Sequence, residues 1–89
     1  MRSATVTIVN RLGLHARAAS KLVHLTKTFS SEITLARDEE AVDGKSIMSV
    51  MLLAAPIGTE LTLSVSGDDE DAAMAAISEL IADRFGEED

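Results

Sequence analysis

One loop and the helix start that follows it hold the residues best able to do chemistry. His15 follows Asn10-Arg11-Leu12-Gly13-Leu14 and precedes a segment of helical periodicity that begins at Ala16. The first N–H groups of a helix lack internal acceptors, and with the helix dipole they make a ready anion site, above all for phosphate. That positive end disfavours an imidazolium. A neutral imidazole keeps a lone pair and is a nucleophile. Arg17, in the first turn, has a guanidinium that can fold back onto an anion beside the His15 ring. Nucleophile, N–H cradle from Ala16 and Arg17, and cation together describe a phosphoryl-accepting histidine. The plain alternative is a solvated histidine beside a solvated arginine, and the residues alone leave both open.

The second histidine, His24, is nine residues further on. Nine helical residues turn through about 900°, which sets the two rings on opposite faces and prevents a shared metal ion. Cysteine is absent, which excludes disulfides, thiolate catalysis and cysteine-based zinc sites. No metal and no cofactor is expected. Gly44-Lys45-Ser46 hints at a nucleotide-binding loop, but that pattern needs a glycine where Glu39 stands. Ser46 is expected as the N-cap of a short helix. A phosphate on its hydroxyl would add roughly −2 charge at a favourable helix end. The plain alternative is an ordinary cap.

These residues need a frame. Ala4 to Val9 alternates with period two and is rich in β-branched residues, so it reads as a strand. In residues 16–28 the period becomes helical, with Ala18, Leu22, Leu25 and Phe29 in a stripe and Ala19, Val23 and Thr26 beside it. Glu32 to Arg37 alternates again, Asp38-Glu39 makes a turn, and Glu40-Ala41-Val42 is a short, charged strand suited to a sheet edge. Ile47 to Leu53 is a short helix ended by Pro56-Ile57-Gly58. Glu60 to Ser66 is the clearest strand, and Asp68 to Asp71 supplies a cap and an acidic first turn for a last helix. That helix carries Ala73, Ile77, Leu80 and Ile81 along one stripe, extending to Arg84 or Phe85. The order is β-α-β-β-α-β-α. One-sided alternation in the strands buries one sheet face, so the expected fold is α+β: a two-layer open-faced sandwich, a four-stranded antiparallel sheet with three helices on one face. Residues 1–89 are expected to form a single domain, with 86–89 a frayed acidic tail.

Composition narrows the function. Of 89 residues, 46% are apolar and 26% charged, the balance of a globular protein. No apolar run reaches the ~20 residues that span a bilayer, and the N-terminus lacks the apolar stretch of a secretory signal. No membrane insertion and a cytoplasmic location are therefore expected. A net charge of −7, with no Trp or Tyr, argues against nucleic-acid binding. The charge is uneven. Residues 1–31 hold Arg2, Arg11, Arg17, Lys21 and Lys27 but no acidic residue. Such a region attracts anionic ligands or an acidic partner surface. Ile47 to Leu53 has too many apolar residues for one helix face, so either some stay exposed as a partner surface or loops cover them.

Gly13-Leu14-His15-Ala16-Arg17-Ala18-Ala19 resembles the active-site segment of HPr, the histidine-containing phosphocarrier family of the bacterial phosphoenolpyruvate-dependent phosphotransferase system. Gly44-Lys45-Ser46-Ile47-Met48-Ser49-Val50-Met51 resembles that family's regulatory serine segment. The spacing, the length and the element order fit as well. The resemblance implies that His15 accepts a phosphoryl group from Enzyme I through Nδ1 and passes it to an EIIA-type domain, with Arg17 steadying the phosphate. It implies a covalent carrier without turnover of its own, acting as a monomer. Ser46 would be the target of an HPr kinase/phosphorylase, and its phosphate would weaken transfer by repelling acidic partners. Leu14, Ile47, Met48 and Met51 would form the apolar part of the docking surface, with Arg17 and Lys21 supplying charge. The family commonly has proline where this chain has Ala18, so a slightly more mobile helix start is expected here. The alternative from another class is a regulatory interaction protein acting mainly through Ser46; His15 with Arg17 favours the carrier. The acidic C-terminus and many small residues resemble proteobacterial forms of the family, which implies a regulatory relay over sugar uptake.

Overall fold

The computed structural model describes residues 1–88. Its elements follow the expected order: β1 Arg2–Thr7, α1 Ala16–Thr26, β2 Glu32–Arg37, β3 Glu40–Asp43, α2 Ile47–Leu52, β4 Glu60–Ser66 and α3 Glu70–Ala82. The strands form one sheet in the order β1-β4-β2-β3, with every neighbouring pair antiparallel. Register aligns the inward residues in rows. Leu63 of β4 stands opposite Ala4 of β1 on one side and Leu35 of β2 on the other, and Val65 opposes Ile33. Side chains alternate across a strand, so these rows bury one face of the sheet. β1 begins earlier than its apolar alternation suggested, because Arg2 and Ser3 still pair with Val65 and Ser64. The short β3 takes an outer position, where its charged ends discourage further pairing.

The three helices cover the buried face. α1 buries Ala18, Ala19, Leu22, Val23 and Thr26, with Leu25 and Phe29 at the margin of the core. The expected stripe is thus rotated toward the residues that flanked it. Two alanines at the start of the buried face let the helix backbone lie close to its neighbours. The core also takes Ile8, Leu35, Val50, Leu61, Leu63 and Ile77. Thr26 ends α1 by donating its hydroxyl hydrogen bond to Val23 O and Gly44 O, at 3.1 and 2.7 Å. That joins α1 to the loop before α2.

Two ends of α3 differ from the sequence reading. Asp69 stands at the N-cap but makes no side-chain cap bond to its own helix. Its carboxylate instead accepts the backbone N–H groups of Ser30 and Ser31, at 2.8 and 3.0 Å, and the Ser31 hydroxyl. These bonds, the Ser31 hydroxyl first, hold its carboxyl down at about 2. The aspartate therefore ties α3 to the loop after α1, a contact that local capping rules cannot foresee. At the other end, α3 stops at Ala82, short of the expected Arg84 or Phe85. Arg84, Phe85 and Gly86 take positive φ of 58°, 55° and 77°, a left-handed turn that drives Phe85 fully into the core. Non-glycine residues resist that region, so burial of the ring must offset the strain. The turn reverses the chain, and Glu87 comes back over the start of α1. Glu87 is bonded, not frayed; of the expected tail, Glu88 is exposed and Asp89 lies outside the described residues.

Candidate functional site

The loop Asn10–Leu14 is built to present His15. Gly13 N donates to Asn10 O at 3.1 Å, and Leu14 N donates to Ala55 O at 2.8 Å. Gly13 has φ +71°, and a Cβ there would lie 2.6 Å from Ala55 O. Both the conformation and the close approach require glycine. Leu14 is only 6% exposed and belongs to the core. It anchors the loop, so its assignment to the docking surface is corrected: the side chain has little area left to offer a partner.

His15 is extended, at φ −83° and ψ 177°, and is the N-cap of α1. Its carbonyl accepts Ala19 N at 2.8 Å, and its own ring completes the cap: Nδ1 accepts the Arg17 N–H at 3.2 Å. An atom that accepts an N–H carries no proton, so the ring's hydrogen resides on Nε2, which donates to Glu87 Oε2. The Nδ1 lone pair therefore faces the helix N-terminus. Glu87 Oε1 accepts a second bond from Asn10 Nδ2 at 3.0 Å. That bond foremost, then the His15 ring and the Lys21 ammonium, holds the Glu87 carboxyl below the usual range against a desolvation penalty.

Arg17 is exposed in the first turn of α1, two residues from His15. With Arg11, Leu12, Lys21 and Glu87 it lines a cleft of about 530 Å³. Lys21 points its ammonium at Phe85 O, at 2.9 Å, so this cation steadies the left-handed turn as well as charging the cleft. His24 lies apart on the exposed side of α1, its ring bonded to Ser20.

Ser46 caps α2, its Oγ accepting Ser49 N at 3.3 Å. Arg37 closes the far end of that helix by donating to Leu53 O and Ala54 O. Val50 and Leu53 are buried, while Met48 and Leu52 are 76% and 69% exposed and Ile47 and Met51 are partly so. The surplus of apolar residues is thus left uncovered on a helix that packs against α1. Sequence reasoning brought together His15, Ala16 and Arg17 and the α2 surface. It missed Asn10 and Glu87. Asn10 could have been suspected as a polar residue next to a buried strand end; nothing local pointed to Glu87.

Fold and site define an open-faced α+β module that presents one imidazole nitrogen to a helix N-terminus, a class suited to holding a phosphoryl group. Comparison with known proteins narrows this. A family model described as "PTS HPr component phosphorylation site" matches residues 2–83. The phosphocarrier protein HPr of Cupriavidus necator is 52% identical over 87 residues, covering 98% of both chains. That of Pseudomonas aeruginosa is 49% identical over 88 residues, again 98% of both. The crystal structure of HPr-C-His from Thermoanaerobacter tengcongensis superposes with a TM-score of 0.95 at 43% identity, covering 99% of each chain. The chain belongs to the HPr family and has the role of a phosphocarrier of the phosphotransferase system. Among the described residues no helix is long and apolar enough to cross a membrane.

Proposed function

We propose that His15 is the residue that carries the phosphoryl group, bound through Nδ1. The observation that supports this is the ring cap: Nδ1 is bare, and its lone pair faces the backbone N–H of Arg17. Attack by that lone pair on phosphorus brings the phosphoryl oxygens to the N-terminus of α1. There the N–H groups of Ala16 and Arg17 can take them as acceptors, so the bond from Arg17 passes from ring nitrogen to phosphoryl oxygen. The Arg17 side chain adds a charge-assisted contact. The N–H groups and the Arg17 guanidinium hold negative charge, which fits a covalent carrier without turnover of its own.

The donor in this reading is Enzyme I, charged from phosphoenolpyruvate, and the acceptor is an EIIA-type domain in the cytoplasm. Both dock on the exposed apolar face of α2, through Ile47, Met48 and Met51, and on the positive cleft of Arg17 and Lys21; the chain acts as a monomer. Phosphorylation of Ser46 by an HPr kinase/phosphorylase sets negative charge beside that face and lowers transfer. Transfer feeds a regulatory relay more than sugar uptake. Phosphorus NMR of the chain charged by Enzyme I and phosphoenolpyruvate tests the assignment. A single phosphohistidine signal on Nδ1, lost in His15→Ala, is expected. A signal on Nε2 or on another residue overturns it.

A further inference from the structure

We propose that Glu87 is a positioning residue for His15, fixing the ring tautomer and neutralising the ring as it takes the phosphoryl group, with Asn10 as its brace. The inference rests on the reading of His15 as the phosphoryl acceptor. Its evidence is separate. Glu87 Oε2 takes the hydrogen of His15 Nε2, which leaves Nδ1 as the nitrogen with the lone pair. The carboxylate is itself held: Asn10 Nδ2 donates to Glu87 Oε1 at 3.0 Å and to Gly13 O at 2.7 Å. Both of those partners are acceptors, so the amide must turn its NH₂ toward them. The consequence is that Asn10 Oδ1 stays buried without a hydrogen-bond partner. An unsatisfied buried carbonyl is costly, and the two bonds the Asn10 NH₂ donates offset that cost while tying Glu87 Oε1 to the loop carbonyl of Gly13. The left-handed turn at Arg84–Gly86 serves the same end, because it delivers Glu87 to the ring.

The chemistry follows from charge. The donor's bond to phosphorus breaks, and its electron pair stays on the donor. The Nδ1 lone pair forms the new N–P bond, and Nε2 keeps its proton throughout. The ring thus passes from a neutral imidazole to a cation bearing the phosphoryl group. The Glu87 carboxylate already faces that cation through Nε2–H, as the aspartate of a Ser-His-Asp triad faces its histidine. It does not touch the phosphoryl group.

The test uses the full-length chain, labelled with nitrogen-15, as wild type, Glu87→Gln, Glu87→Asp and Glu87→Ala. Imidazole NMR reads the tautomer, and steady-state transfer from Enzyme I with phosphoenolpyruvate reads kcat and KM. The wild type is expected to hold the Nε2–H tautomer. Glu87→Gln keeps it, since the amide oxygen also accepts, but loses roughly tenfold in kcat at unchanged KM, because the charge is gone. Glu87→Asp recovers part of that loss. Glu87→Ala mixes the tautomers. Equal kcat in all variants, or a mixed tautomer in the wild type, overturns the proposal while leaving His15 as carrier. A faster Glu87→Gln also overturns it, by making Glu87 a gate. A wild type that accepts no phosphate overturns both readings together.

Discussion

The two nitrogens of the His15 ring are held from opposite ends of the chain: Nδ1 accepts the N–H of Arg17, two residues on, and Nε2 meets the carboxylate of Glu87, 72 residues on. One bond is local and follows from helix-capping rules; the other exists only because the chain closes on itself. Between them they fix which nitrogen is available for bond formation.

Arg17 supplies the one cation in the first turn of α1, and its role is separable from that of its backbone. Arg17→Ala keeps the N–H that caps onto Nδ1 but removes the guanidinium. Charge-assisted contacts to phosphate are strong, so transfer from Enzyme I is expected to fall roughly tenfold or more while the melting temperature barely moves. Arg17→Lys recovers only part of the rate, since an ammonium lacks the planar fork. Rates of labelled phosphate transfer decide this; unchanged rates in Arg17→Ala remove the side chain from the mechanism.

Ser46 has a structural duty and a proposed regulatory one, and two substitutions separate them. Ser46→Ala loses the bond from Ser49 N and is expected to cost about 1 kcal/mol, a fall in melting temperature of about 4–8 °C, with transfer intact. Ser46→Asp can still cap and adds a negative charge at the helix end. It is expected to keep its melting temperature and to slow docking of acidic partners by weakening KM. Calorimetry and transfer kinetics on both variants check the split. Slow transfer in Ser46→Ala would trace the effect to the helix, not to charge.

Asp69 makes a pH-dependent tie. Its carboxyl is lowered from 3.8 to about 2 in the folded chain by the bonds from Ser31 and Ser30. A group lowered by folding contributes stability that is present above its unfolded value and is lost as pH falls through its folded value. The wild type is therefore expected to exceed Asp69→Asn in stability at neutral pH. The gap narrows between about pH 4 and pH 2 and vanishes below. Urea unfolding across that range measures it, and a gap independent of pH would contradict the assigned cause.

How much of this was legible beforehand depends on sequence distance. The strand alternation of Glu60–Ser66, the Ser46 cap and the change of period after His15 are local patterns, and each produced the expected element. The His15 environment was readable for the same reason: Ala16 and Arg17 are its neighbours in the chain. Asp68 to Asp71 was read as supplying a cap for the helix that follows because a sequence shows only that helix, not the Ser30–Ser31 loop that Asp69 meets. Leu14 was read as surface, yet the Leu14–Ala55 bond pulls it inward. Glu87 was read as tail because acidic termini usually fray. Three consecutive positive φ angles at Arg84, Phe85 and Gly86 are not encoded by any period, and without them Glu87 cannot reach the ring.

Intact mass after incubation with phosphoenolpyruvate and a bacterial Enzyme I, before and after mild acid, tests the central claim most directly, with His15→Ala alongside. The expected result is a gain of one phosphate in the wild type, lost in acid and absent from His15→Ala. A gain that survives acid, or one that persists in His15→Ala, would contradict His15 as the carrier residue.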